Sequence, residues 1–133
     1  MPSSPLPFAV SLLALVSTVA SPLRAANPEV KHVLVVVGPS NHAPGTHEVR
    51  AGGRLIADCL KHADNVTGIE TTVVTSWPTD AAVLGKVDTL VFIGDRFPGE
   101  ELPNRDQTIS DITKMMDRGC GIVCVHYATG LGA

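Results

Sequence analysis

The chain has 133 residues, with 10 basic and 13 acidic side chains and a formal charge of −3. That length holds one domain at most. A mildly acidic balance with no basic stripe excludes a nucleic-acid-binding surface. The cysteines, Cys59, Cys120 and Cys124, match no common zinc spacing and, being odd in number, no disulfide framework. Buried free thiols are expected instead.

The first recognisable segment is FAVSLLALVSTVA, from Phe8 to Ala20, apolar or small throughout and uncharged. It falls short of the roughly 20 apolar residues that span a bilayer as a helix. It reads as the core of a signal peptide, with Thr18, Ala20, Ala25 and Ala26 supplying small residues for cleavage. A leader over residues 1–26, and a secreted or periplasmic protein, are therefore expected. No Lys or Arg precedes the run, so an uncleaved anchor or a miscalled start are the alternatives. No later segment is apolar for long enough to predict a membrane span.

Beyond the leader the pattern alternates. Val33–Val37 (VLVVV) is a β-branched run suited to a central parallel strand covered on both faces. The Pro- and Gly-containing stretch from Gly38 to Gly45 predicts a loop. A helix is expected over Thr46–His62, with Thr46 as N-cap and Glu48 in the first turn. Its inward stripe is Val49, Gly52, Ile56, Cys59 and Leu60, and Gly52 and Gly53 permit close approach to a sheet. Ile69–Thr75 predicts a second strand, Thr79–Leu84 a short helix and Thr89–Ile93 a third strand. A loop over Gly94–Pro103 follows. The next helix is expected over Asn104–Arg118, with Asn104 and Gln107 as a capping box, Ile109, Ile112 and Met116 as the apolar stripe and Gly119 as the stop. Gly121–Val125 predicts the fourth strand, entering His126.

This alternation predicts an α/β fold, a three-layer flavodoxin-like parallel sheet of strand order 2-1-3-4. Such sheets ordinarily carry a further strand and helix. The sequence thus reads as truncated after its fourth strand, with a complete four-strand domain as the alternative.

Open α/β sheets bind ligands beyond the carboxyl ends of their strands, where strand order reverses. Polar residues gather at those ends: Asn41, His42, His47 and Glu48 after the first strand, Asp95 and Arg96 after the third, His126 and Tyr127 after the fourth. His32 and His62 lie elsewhere. Three readings compete. His126 is a nucleophile or general base, oriented by His47 or Glu48. Alternatively His42, His47 and His126 bind a divalent metal, completed by Glu48 or Asp95, a set suited to zinc or manganese although no HxH or HExxH spacing is present. In the third, these residues only cap helices and meet solvent. Trp77-Pro78 is either a sugar-stacking platform or part of the core, and Asn65-Val66-Thr67 fits a glycosylation sequon that matters only in a eukaryotic secretory pathway.

The segments HAPGTHE (42–48), TVVTSWP (72–78) and GCGIVCVHYA (119–128), in that order, resemble the ThuA-like (trehalose-utilisation) family. The resemblance covers Lys31 to about Thr129, and marks residues 31–133 as the N-terminal half of such a domain. It implies a class I glutamine amidotransferase-like fold and work in carbohydrate utilisation. At the turn where true amidotransferases carry their cysteine, this chain has His126, so glutaminase activity is not expected. By motif, His42, His47, Glu48 and His126 are expected to line the pocket. The function expected is hydrolysis or isomerisation of a sugar derivative, with His126 as general acid/base and His47 and Glu48 assisting. Asn41, His42, Asp95 and Tyr127 are the expected substrate contacts. No cofactor is required, although a divalent metal is admissible. The alternatives are a non-catalytic carbohydrate-binding or accessory domain, or an inactive remnant.

Overall fold

The computed structural model describes residues 29–95 and 104–129. The expected leader, Arg96 and most of the loop after the third strand lie outside the described residues. So does the Glu100-Glu101 pair, which the sequence reads as a solvated loop pair.

Four strands form one parallel sheet: β1 (Lys31–Val37), β2 (Ile69–Val74), β3 (Thr89–Gly94) and β4 (Gly121–His126). Their order is β2-β1-β3-β4, the flavodoxin-like arrangement. β1 pairs with β3 from Val33↔Thr89 to Val37↔Ile93, and β3 pairs with β4 from Thr89↔Gly121 to Gly94↔His126. Strand order reverses at the junction of β1 and β3.

Alternation along the strands splits the core in two. Val33, Val35, Val37, Val91 and Ile93 face one side. Leu34, Val36, Leu90 and Phe92 face the other. Helix α1 (Val49–Lys61) covers the first face, through Val49, Ile56 and Leu60. The two short-spaced glycines explain how closely it lies. A Cβ on Gly53 would run into Val37 Cγ2, and one on Gly52 would come within 2.8 Å of Ile93 Cδ1. Cys59, expected on this inward stripe, is exposed. The residues of α1 that meet the core are Val49, Gly53, Ile56 and Leu60, a stripe rotated away from Cys59. Cys120 is buried and Cys124 half-buried, as free thiols.

The opposite face is covered by α2 (Ala81–Leu84) and α3 (Arg105–Asp117). Asp80 caps α2, accepting the Ala82 N–H at 2.8 Å. In α3 the buried positions are Thr108, Ile112 and Met115. Met116, expected inward, is exposed, because the stripe that meets the sheet steps 108, 112, 115. The expected capping box does not form. Asn104 sits at φ 56°, outside the extended geometry of a side-chain cap, and Gln107 Nε2 donates to Asp111 Oδ1 at 2.8 Å. Gly119 ends the helix region at φ +94°, as expected. Trp77 belongs to this core. It is buried, stacked beside Phe92 at 6.2 Å, and its Nε1–H donates to Asp111 Oδ2 at 3.3 Å.

β4 is the thinnest part of the packing. Ile122 and Val123 remain exposed, and its outer edge has no strand partner among the described residues. No helix of the described residues is long and apolar enough to cross a membrane.

Candidate functional site

The loop after β1 leaves the sheet with its first residue still tied to the neighbouring strand, since the Gly38 N–H donates to Ile93 O at 2.8 Å. It then turns through Gly45, whose φ of +83° suits glycine. The Glu48 carboxylate reaches back and accepts the Gly45 N–H at 2.6 Å. Glu48 also accepts the first helical bond on its carbonyl, from Gly52 N–H at 2.8 Å. Helix α1 therefore starts at Val49 rather than Thr46. The HAPGTHE segment is a braced loop, because Gly45 and the Glu48 side chain close a turn where three more helical residues were expected. That loop holds His42 and His47 above the sheet.

Asp95 follows β3 directly and is the anchor of the site. Only 4% of its side-chain surface is exposed. Its Oδ2 accepts the Asn41 N–H at 2.6 Å. Burial opposes its charge, but the hydrogen bonds from the Asn41 N–H and the Ser40 hydroxyl, with His42 and His47 nearby, outweigh that cost. They hold the carboxyl below the usual carboxylate range. His42 Nε2 lies 3.9 Å from Oδ2, and His47 Nδ1 lies 3.9 Å from Oδ1. Neither distance is a hydrogen bond. His47 Nδ1 and Asp95 Oδ1 are both buried and both lack a hydrogen-bond partner. Buried polar atoms are nearly always satisfied, so such a facing pair needs an explanation.

His126 closes β4 and pairs with Gly94 across the sheet. Its φ of 62° is in the left-handed region, a conformation that costs a non-glycine residue roughly 1–2 kcal/mol. Strain of this kind gathers at functional sites. The backbone then turns at once into the short 3₁₀ segment Tyr127–Thr129, anchored by buried Ala128. As a result the His126 ring packs edge-on against His47, with centroids 4.4 Å apart, and lies 4.2 Å from the Tyr127 ring. His42 meets His47 from another side at 4.2 Å. Three imidazoles and a phenol thus form one continuous surface over a buried carboxylate. Tyr127 is more than half exposed.

The structure brings together His42, His47, Asp95, His126 and Tyr127. Asn41 joins them through its backbone N–H, and Glu48 braces the loop from outside the ring cluster. The close group of ligand-type atoms is His42, His47 and Asp95, all within 4.8 Å of one another. The set expected from sequence was His42, His47 and His126, completed by Glu48 or Asp95; the close group keeps His42, His47 and Asp95 and leaves out His126 and Glu48. His126 instead stands at the rim with its ring against His47. Ser40, which reaches Asp95 as a hydroxyl donor, was not anticipated; its place beside Asn41 at the strand end was the available signal. Cys124 is half-buried and packs against the core rather than the rim, and burial raises its thiol pKa.

No family model matches the chain, and no curated protein or solved structure matches it either.

Proposed function

We propose that the chain acts on a sugar or sugar derivative, by hydrolysis or isomerisation, at the carboxyl edge of its sheet. The observation that supports this most is His126, held in a strained backbone conformation with its ring exposed beside His47. An exposed imidazole fixed in direction suits a general acid/base, which must reach a substrate proton from a defined side. In this reading His47 carries the neighbouring ring, and Asp95 sets its electrostatic surroundings. Glu48 assists by keeping the Gly45 turn closed, which fixes both loop histidines. Tyr127 and His42 offer flat apolar faces edged by polar atoms, a combination that receives a pyranose ring. The likeness of HAPGTHE, TVVTSWP and GCGIVCVHYA to ThuA-like proteins is what directs the reading to carbohydrate rather than to another hydroxylated substrate. An exported, ThuA-like protein of carbohydrate utilisation is the corresponding setting.

A second reading adds a divalent cation to the same rim. It is favoured by the pair of unpartnered buried atoms, His47 Nδ1 and Asp95 Oδ1. A carbohydrate-binding domain without catalysis is the third reading; an exposed, strained histidine gives it no particular support.

The test is turnover of plain and oxidised disaccharides by the purified chain and by His126→Ala. A general acid/base contributes about 10²- to 10⁴-fold, so the variant should lose that much. Turnover unchanged in His126→Ala would remove the residue from the chemistry.

A further inference from the structure

We infer that His42, His47 and Asp95 form a three-ligand site for a borderline-soft divalent ion of the zinc type, open on the side of His126. The inference rests on the reading of this rim as the functional site, and deepens it by naming the ion class and its ligand atoms.

Four features carry it. The donor set is two imidazoles and one carboxylate, the composition that suits zinc and its first-row neighbours rather than magnesium or calcium, which take oxygen ligands. The three donors converge, each within 4.8 Å of the others. Two ligands about 2.1 Å from zinc at a tetrahedral angle sit about 3.4 Å apart. The 3.9 Å separation of His47 Nδ1 from Asp95 Oδ1 therefore needs only a small contraction.

The third feature is independent of the grouping. Asp95 is almost wholly buried, yet Oδ1 has no partner, and the atom it faces, His47 Nδ1, is likewise buried and unpartnered. A proton shared between them would draw them to hydrogen-bond distance, which 3.9 Å is not. An ion between them satisfies both at once. The fourth feature is the outer support. Asp95 Oδ2 is already held by the Asn41 N–H at 2.6 Å and has His42 Nε2 at 3.9 Å, while Oδ1, which faces His47 Nδ1, accepts nothing and is the freer ligand oxygen. Metal-binding carboxylates are held from behind in this way.

The ligands come from two strand ends, β1 through its braced loop and β3 through Asp95. His126, at the end of β4, is not part of the close group. Three protein ligands leave at least one coordination position for water or a substrate hydroxyl, as catalytic zinc sites do. His126 then stands beside that position as the proton-handling group.

The experiment uses the full chain, stripped with a chelator and titrated calorimetrically with Zn²⁺ alone. Mg²⁺ and Ca²⁺ are run in parallel, and folding is verified by circular dichroism. One equivalent of Zn²⁺ should bind at least about 100-fold more tightly than Mg²⁺. Asp95→Asn and His47→Ala should each weaken it by about 100-fold or more. His42→Ala, on the exposed part of the loop, should weaken it too and serves as the variant that folds if the buried ones do not. His32→Ala and His62→Ala should bind as the parent does. No saturable Zn²⁺ binding, Mg²⁺ binding as tight as Zn²⁺, or full affinity in both Asp95→Asn and His42→Ala would overturn the site. The acid/base reading is separable, because His126→Ala should retain Zn²⁺ within a few-fold while losing turnover. A variant that keeps both binding and turnover sinks that reading and leaves the ion site standing.

Discussion

The two ends of the sheet use their charged residues in opposite ways. At the amino end Asp88, Lys31 and Arg118 are all engaged. Asp88 accepts the His32 N–H at 2.8 Å and a Lys31 bond at 3.4 Å, and Lys31 also meets Glu29 at 3.1 Å. Arg118 donates to the carbonyls of Leu84 and Val87 at 3.0 and 2.9 Å, closing the turn after α2. At the carboxyl end the histidines and Asp95 crowd together while two of their buried atoms stay unpartnered. Polar groups at the first end complete the fold. At the second, two buried polar atoms go without partners, a cost that the rest of the structure bears.

Substitutions separate the two ends, and the largest effect is expected at the rim. His126→Ala and His126→Gly should each lose about 10²- to 10⁴-fold in turnover. The glycine variant should be about as stable as the parent or slightly more so, since position 126 occupies the left-handed region that glycine adopts freely. Thermal melts alongside the turnover assay check this. A large loss of stability in the glycine variant would show that His126 is a packing residue. At the other end, Arg118→Ala takes the side-chain donor from the Val87 carbonyl and one of two donors from that of Leu84, and should cost about 1–3 kcal/mol in urea unfolding, with turnover retained. A turnover defect there would erase the contrast between the ends.

Gly53→Ala tests the layer between them. The added methyl collides with Val37, at a cost of about 1–3 kcal/mol, while the helix gains roughly 1 kcal/mol from replacing glycine. A net destabilisation of about 1 kcal/mol is expected by the same urea measurement. The smallest effect is on pH. The His32 N–H bond is the main reason the Asp88 carboxyl lies below its usual range, with Lys31 adding to it against the cost of burial. A carboxyl depressed in the folded state gives stability that is present above its unfolded value near 4. That stability is lost as pH falls through the lower folded value. Asp88→Asn should therefore flatten the acid limb of the stability–pH curve below about pH 4, and unfolding series across that range would reveal it. Asp95, also depressed, adds to the same limb from the opposite end.

Much of this was readable in the residues. The VLVVV run and the stretch Thr89–Ile93 identify central parallel strands because both faces are apolar and both are buried, while Gly121–Val125 reads as a strand from its β-branched run although it stays largely uncovered. The shared rim then follows from the parallel strands, and the order 2-1-3-4 from the flavodoxin-like pattern among those that right-handed crossovers allow. Three details were hidden, each for a physical reason. The start of α1 depended on the Glu48 side chain choosing Gly45 over the helix end. The rotation of α1 put Val49, Gly53, Ile56 and Leu60 inward and Cys59 outside, a choice between neighbouring stripes that the spacing alone leaves open. Asp95 was legible as a site residue from its place at the strand end, but that it, rather than Glu48, is the buried carboxylate beside both loop histidines is a tertiary outcome that the dipeptide Gly94-Asp95 does not announce.

The central claim is that distant strand ends bring His42, His47 and His126 into one cluster. Ring-proton cross-relaxation in solution tests it directly, with the Trp77–Phe92 pair at 6.2 Å as an internal reference. The geometry predicts contacts between His47 and both His42 and His126 stronger than that reference, and none from His32 or His62 to the trio. A visible Trp77–Phe92 contact with no His47–His126 contact would contradict the account.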